Sequence, residues 1–303
     1  MIKTLRLKSM NGVMNVNKPA GWTSHDVVAK VRGLLQEKQI GHLGTLDPLA
    51  TGVLPLAVGT ATRLIEFSSF SKEYAATCLL GKTTDSCDVS GKILSESDVS
   101  GLAEGRIRAA VLHLKDLREQ IPPMVSAVKS GGKKLYELAR KGLVVERKPR
   151  PVQIEEVEVI RVEIPRVFFR VVCSAGTYVR VLCESLGEEL GTGGCMERLE
   201  RTRVGPFQID QSQTLERVTL AAEGGVLSSL LLPSSLLAGH LPKLELDEKN
   251  IAELCQGKKI NFPIPAPGFY RVMNQEGRLC LIGEALELTE LKPKKVFGME
   301  GIL

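Results

Sequence analysis

Aromatic side chains are scarce in this 303-residue sequence: Phe, Trp and Tyr together make up 4%, with a single Trp, so each Tyr in a polar setting carries more information than usual. Long apolar runs are absent as well. No stretch reaches the roughly 18 residues that would suggest a membrane-spanning helix. Met1 to Gly12 carries Lys and Arg without an apolar core of signal-peptide length. These absences argue against a membrane or secreted protein, and a cytoplasmic location is expected. The most apolar segment, 225–241, is broken by serines and by Pro233 and reads as a buried connector between domains. Metal-ligand spacings are missing too. None of the seven cysteines (78, 87, 173, 183, 195, 255 and 280) forms a C-x2-C pair, and the four histidines (25, 42, 113 and 240) form no H-x3-5-H pair. No metal site is expected. The cysteines are odd in number and widely spaced, which fits reduced thiols used as small apolar side chains. There is no internal repeat and no low-complexity tract.

What is present is ordinary for a globular protein: 43% hydrophobic residues, 25% charged residues and a net charge of +5. That mild basic excess permits a polyanionic partner without demanding one. The length suits one large domain plus a small one, or two medium ones.

Along the chain, 11–19 reads as a short strand ending in a Lys-Pro turn. Thr23 or Ser24 caps a helix with Val27, Val28, Val31, Leu34 and Leu35 on one side. Residues 39–52 read as a loop, 53–58 as a buried strand, 60–67 as a short helix and 72–81 as a strand. Residues 82–92 are turn-rich, and 106–114 look helical. The segment 120–151 mixes Pro, Gly, Lys and Arg and is expected to stand away from the core. Alternation in 152–164 and 166–174 predicts an antiparallel pair. Gly176 is read as opening a helix in which Tyr178, Leu182, Leu186 and Leu190 recur every four residues, followed by a strand over 195–204. Past Pro242 the pattern changes to a compact β-rich module: a short strand (KLEL), a helix (KNIAELCQG) and strand-like runs KKINFPI, GFYRVMN and LCLIGEAL. The expected division is 11–240 and 241–303.

The most unusual segment is Gly41-His42-Leu43-Gly44-Thr45-Leu46-Asp47-Pro48-Leu49-Ala50-Thr51-Gly52. Its glycines permit close ligand approach, and Pro48 keeps Asp47 out of the α region. A carboxylate in so stiff a frame suits chemistry. The plain alternative, that Asp47 merely caps a following helix, stands on equal footing locally, because Asp-Pro turns are common.

Further ordered motifs decide between them. Lys18-Pro19-x-Gly21-x-Thr23-Ser24, the Asp47 loop, Lys72-Glu73-Tyr74 and Gly81 with Thr84-Asp85-Ser86-x-Asp88 come first. Gln120-x-Pro122-Pro123 with Ser126-Ala127-x-Lys129, Tyr136 and Ala139-Arg140-x-Gly142 follow. Gly176-Thr177-Tyr178-Val179-Arg180 and Leu199 with Arg201-Thr202-Arg203-x-Gly205-x-Phe207 complete the set. In this order the chain resembles the TruB family, the bacterial tRNA pseudouridine-55 synthases, over nearly all of its first 240 residues. It departs from the family pattern at Leu43 (usually Thr), Cys195 (commonly His) and Glu200 (commonly basic), which puts individual RNA contacts in question.

The resemblance implies that one uridine in the tRNA T-stem-loop is isomerised to pseudouridine without cofactor or metal, after the nucleotide leaves its stack. It assigns the reacting carboxylate to Asp47, as nucleophile at C1′ or as base at C2′. Arg180 would lower the Asp47 pKa and keep it ionised, and Asp88 would hold Arg180. Tyr74 would stack on the target base, Tyr178 would line the site and Leu199 would wall it. His42 would contact the RNA or fill the gap left by the flipped base. Lys18 would support the floor or a phosphate. Core packing remains the plain alternative for Tyr74, Tyr178 and Leu199, a satisfied structural histidine for His42 and a solvated turn lysine for Lys18. Lys129, Lys133, Lys134, Arg140, Lys141, Arg147, Lys148 and Arg150 form a candidate RNA clamp, though charge runs are usually solvated faces.

The implied fold is α+β: a mixed, largely antiparallel sheet with flanking helices, plus a small β-rich C-terminal domain resembling PUA modules. The enzyme is expected to act as a monomer, with tRNA as partner and no membrane. Two alternatives are a guide-RNA-dependent synthase subunit, disfavoured by the short tails, and a tRNA-folding chaperone. A glycoside hydrolase would normally need a matched pair of carboxylates.

Overall fold

The structure, a computed structural model, describes residues 10–299 other than 127, 131, 136, 137, 139–141 and 144, together with 301 and 302. Its first half runs β1 (Gly12–Lys18), α1 (Ser24–Leu35), β2 (Ile40–His42), β3 (Thr51–Val58), β4 (Lys72–Leu80), β5 (Lys82–Thr84), β6 (Ile93–Glu96) and α2 (Glu104–His113). Short strands β7 (Glu119–Gln120), β8 (Lys129–Ser130), β9 (Lys133–Lys134) and β10 (Arg150–Pro151) follow. Then come β11 (Ile154–Glu163), β12 (Arg166–Cys173), α3 (Val179–Leu190), β13 (Gly194–Val204), β14 (Phe207–Gln208) and α4 (Leu215–Glu223).

An eight-stranded sheet in the order β1-β3-β13-β4-β12-β11, with β2 on β3 and β14 on β13, forms the frame. All its pairings are antiparallel except β13 against β3. Strand β3 (TGVLPLAV) is buried along nearly its whole length, as its continuous apolar run requires. Pro55 gives β3 no amide donor, yet its carbonyl accepts from Leu43 N at 3.0 Å. Helices α1, α2, α3 and α4 add their apolar faces to the main core.

Helix α1 begins where the sequence predicts. Thr23 closes a capping box with Asp26, and Val27, Val28, Val31 and Leu35 turn inward. Helix α3 packs backbone to backbone on the start of β13: a Cβ on Gly187 would lie 2.0 Å from Gly194 N.

The second unit is a five-stranded sheet, β15 (Lys243–Glu245), β17 (Gly268–Met273), β18 (Leu279–Glu287), β19 (Glu290–Val296) and β16 (Ile260–Asn261), in that spatial order. Helix α5 (Glu248–Cys255) packs on it. An apolar cluster joins the two sheets: Val53, Ala57, Leu64 and Phe67 meet Leu237, Leu279 and Ile282. Arg63 donates to Val296 O, and Lys295 pairs with Glu66. The architecture is α+β, as expected.

Several details differ from the sequence reading. The 39–52 loop is shorter, because β2 and β3 intrude at its ends. Gly176 does not open α3; Tyr178 is its N-cap residue, so it stands off the leucine face. The 82–92 turn contains half of the β5–β6 hairpin. KKINFPI supplies only two strand residues, Ile260 and Asn261, with Pro263 two positions on. The 225–241 connector pairs with β1 at Val13 and Leu232. Helix α4 was not anticipated. The seven cysteines are free, six of them buried. Among the described residues, no helix is long and apolar enough to cross a membrane.

Candidate active site

Asp47 lies on the loop between β2 and β3, and a strand follows it, so the helix-capping alternative fails. The loop is bolted from three sides. Ser24 Oγ accepts from Leu46 N at 2.8 Å and donates to Leu46 O at 3.1 Å. Gly21 N donates to Pro48 O at 2.8 Å. Lys18, fully buried, donates its amino group to Pro19 O, Trp22 O and Pro48 O at 2.9, 2.7 and 3.3 Å. It is therefore no solvated turn lysine. Burial pushes its pKa down to about 8, against the pull of Asp47.

On the opposite side sits Arg201, also fully buried. It donates to Val53 O at 2.7 Å, Gly44 O at 3.0 Å and Thr45 O at 3.4 Å. Among the described residues no carboxylate pairs with it. Gly52 (φ 102°) lets β3 approach β13 so closely that a Cβ there would lie 2.3 Å from Arg201 O. In the sequence Arg201 stands out only as part of the Arg201-Thr202-Arg203 motif. Its signal was a charged residue at an inward strand position, opposite Tyr74 in the β13–β4 register.

Arg180, on the first turn of α3 and 2% exposed, reaches Asp47 twice: Nε lies 2.9 Å from Oδ2, and Nη2 donates to Oδ1 at 3.2 Å. The remaining guanidinium bonds go to Ser86 O at 2.9 Å and Val125 O at 2.8 Å. Asp88 Oδ2 stands 3.6 Å from Arg180 Nη1. The other Asp88 oxygen accepts from Ser86 Oγ and Ser90 N, both at 2.9 Å. Gln120, missed as a site residue, accepts from Tyr178 N at 2.9 Å and donates to Tyr178 O at 3.3 Å, fixing the turn that launches Arg180.

The Asp47 side chain keeps 34% exposure, which leaves it open to a ligand. Burial raises its pKa; Arg180 and Lys18 oppose that rise without cancelling it. Arg180 lowers the Asp47 pKa, as expected, but burial outweighs it and the net shift is upward. Tyr74 is buried, and burial likewise raises its hydroxyl pKa; Arg201 works against the shift, and the Asp47 charge adds to it. His42 is half-buried with its Nδ1 unpartnered, and burial, aided by His25, Arg201 and Lys72, pushes its pKa down to about 4. The imidazole is neutral at physiological pH.

Leu199 faces Ala76 across β13–β4 and lines a groove of about 700 Å³ together with Ala20, Leu49, Phe168 and Glu200. Asp47, Tyr74 and Arg180 are not among the groove's lining residues. Two of the departures from the family pattern, Leu43 and Cys195, are buried, whereas Glu200 is exposed. In the basic segment, β7 and β10 pair at its base, and Arg147 donates to Pro122 O. Tyr136, Arg140 and Lys141 lie outside the described residues, as do the side chains of Lys129, Lys133 and Lys134.

Comparison with known proteins agrees with the motif reading. The profile of the TruB family pseudouridylate synthase N-terminal domain matches residues 32–179. The tRNA pseudouridylate synthase B C-terminal domain matches 180–237, and the pseudouridine synthase II TruB C-terminal profile matches 242–297. A tRNA pseudouridine synthase B of Heliobacterium mobile is 44% identical, with 96% of each chain covered. That of Pseudomonas fluorescens is 39% identical, with 99% of each covered. Among solved structures, the archaeal box H/ACA sRNP Nop10-Cbf5 complex contains a chain with TM-score 0.72 at 26% identity, covering 98% of this chain and 89% of that one. An H/ACA RNP bound to a substrate RNA containing 2′-deoxyuridine gives TM-score 0.72 at 26% identity, with 94% and 84% covered. With near-complete coverage by its relatives and three adjoining family profiles along its length, the chain belongs to the TruB family of pseudouridylate synthases.

Proposed function

We propose that the chain isomerises the uridine at position 55 of the tRNA T-loop to pseudouridine, with the Asp47 carboxylate acting at the ribose. The observation that carries this reading is a partly exposed carboxylate held by a 2%-exposed guanidinium at 2.9 Å. In the reaction the N1–C1′ bond breaks, C5 joins C1′, the C5 proton leaves and N1 gains a proton, so the product is an isomer. Attack on C1′ and removal of the C2′ proton both use the ionised carboxylate.

Arg180 keeps that charge in place, and Asp88 steadies Arg180. Tyr74 stacks on the everted base, with Leu199 as apolar wall and Tyr178 lining the site. His42, neutral, contacts the RNA loop. Lys18 forms the floor, since its three bonds to carbonyls occupy its donors. Residues 11–240 form the catalytic domain, 120–151 an RNA clamp carrying Lys129, Lys133 and Lys134, and 241–303 a PUA-like RNA-binding domain. The protein works as a cytoplasmic monomer.

The test is a pseudouridine map of a naked tRNA transcript after incubation with the purified protein alone. Conversion of U55 supports the proposal; no conversion overturns it. The H/ACA likeness favours the second reading, a guide-RNA-dependent subunit, which would leave the transcript unmodified. The tRNA-named relatives, at higher identity, weigh towards the first.

A further inference from the structure

The only tryptophan of this chain is exposed, and its backbone is tied through Lys18 to the loop that carries Asp47. Trp22 keeps 37% of its surface open, between exposed Gly21 and Thr23 in the turn from β1 to α1. The turn is rigid. Lys18 Nζ donates to both Trp22 O (2.7 Å) and Pro48 O (3.3 Å), so one buried amino group fixes the Trp22 and Asp47 segments together. Gly21 N adds a 2.8 Å bond to the same Pro48 carbonyl. The Trp22 backbone is thus placed relative to Asp47 by hydrogen bonds rather than left to a mobile loop.

Single exposed apolar residues are common and ordinarily need no explanation. Trp22 differs in position and surroundings. Ala20 and Leu49, two residues from Trp22 and Asp47 respectively, line the same groove as Leu199. An indole offers a broad, rigid face on which any unpaired base can stack whatever its sequence. Evicting a uridine from its loop also leaves neighbouring bases without a stacking partner.

We propose that Trp22 is a stacking platform for an unpaired base of the RNA substrate, adjacent to the nucleotide that enters the Asp47 site. The inference rests on the proposed action on a tRNA loop. It adds a binding residue at a position that the Lys18–Ser24 motif leaves unspecified.

Because Trp22 is the sole tryptophan, intrinsic fluorescence reports on this one side chain. The experiment titrates full-length Asp47→Asn protein, which holds substrate without turnover, with a tRNA transcript. A second titration uses an RNA duplex that lacks a loop, and binding of each is measured separately by filter retention. Stacking predicts strong quenching and loss of acrylamide accessibility with tRNA, and little change with bound duplex. In the otherwise native protein, Trp22→Ala should raise KM roughly thirtyfold, the middle of the stacking range for one base, while kcat falls far less. Trp22→Phe should recover most of the loss. Equal quenching by duplex, or tRNA binding without any change in Trp22 emission, overturns the platform while leaving the proposed reaction intact. An unaltered KM in Trp22→Ala does the same. Wild-type protein that neither binds nor converts tRNA overturns both.

Discussion

Asp47 and Arg180, separated by 133 positions in sequence, meet at 2.9 Å between Oδ2 and Nε. The guanidinium is almost wholly enclosed, whereas the carboxylate keeps one open side. A buried cation with a half-open anion is an asymmetric pair. Its Coulombic attraction is strong in the low-dielectric interior, yet the reacting group still has access to a ligand. Asp47→Asn keeps the shape and removes the charge. Conversion of U55 should fall by roughly 10³-fold or more, the upper part of the range for loss of a general base, while tRNA binding by filter retention survives. Normal turnover by the Asn variant would remove Asp47 from the reaction.

The raised Asp47 pKa sets the acid limb of the rate. Catalysis needs the ionised form, so single-turnover rates should climb with pH through a midpoint above the ordinary aspartate value of 3.8. Arg180 holds the pKa below the level that burial alone would give. Arg180→Gln should therefore move the midpoint further upward, and a downward shift would contradict the electrostatic assignment.

His42 bears on stability in acid. Its folded-state pKa of about 4 lies below the ordinary histidine value of 6.5, so between those limits the unfolded chain binds more protons than the folded one. The stabilisation linked to neutral His42 is complete above pH 6.5 and is lost as pH falls towards 4. Denaturant midpoints measured across this window should fall less steeply with acidification in His42→Gln than in wild type.

Arg201 holds the Asp47 loop from inside the sheet. Truncation to Ala would strand the carbonyls of Val53, Gly44 and Thr45 and open a cavity. The loss in stability should be about 3–5 kcal/mol by chemical denaturation, the scale for unsatisfied buried carbonyls combined with a large-to-small cavity. Arg201→Lys should cost less, because it keeps the charge and loses only the planar fork.

Neutralising Lys133, Lys134 and Lys141 together tests the clamp. Binding to tRNA should weaken, and the slope of log K against log salt should flatten by a little under one for each phosphate that the variant no longer neutralises. An unchanged slope would end the clamp proposal.

Most of the frame was legible in local sequence. Thr23 or Ser24 ahead of an apolar face announced α1, the alternation in 152–174 announced the β11–β12 pair, and the apolar run VLPLAV announced a buried strand. These signals are local because capping and side-chain periodicity act over a few residues. Tyr178 shows where such reasoning fails. Its four-residue spacing to Leu182 suggested a place on the helix face, but the backbone turns extended at 178, and Gln120, 58 positions away, takes both of its peptide groups. Helix α4 was missed although Thr214 caps it.

The sequence by itself determined the main strands and helices around the site, the stiff frame of the Asp47 loop and, through its ordered motifs, the family. Only the tertiary structure decided that Lys18 and Arg201 are buried struts of that loop, that Arg180 reaches Asp47 and that burial raises the aspartate pKa. The physical reason is range. Capping, turn and strand preferences are settled between near neighbours, whereas desolvation and charge pairing depend on which distant segments the folded sheet brings together.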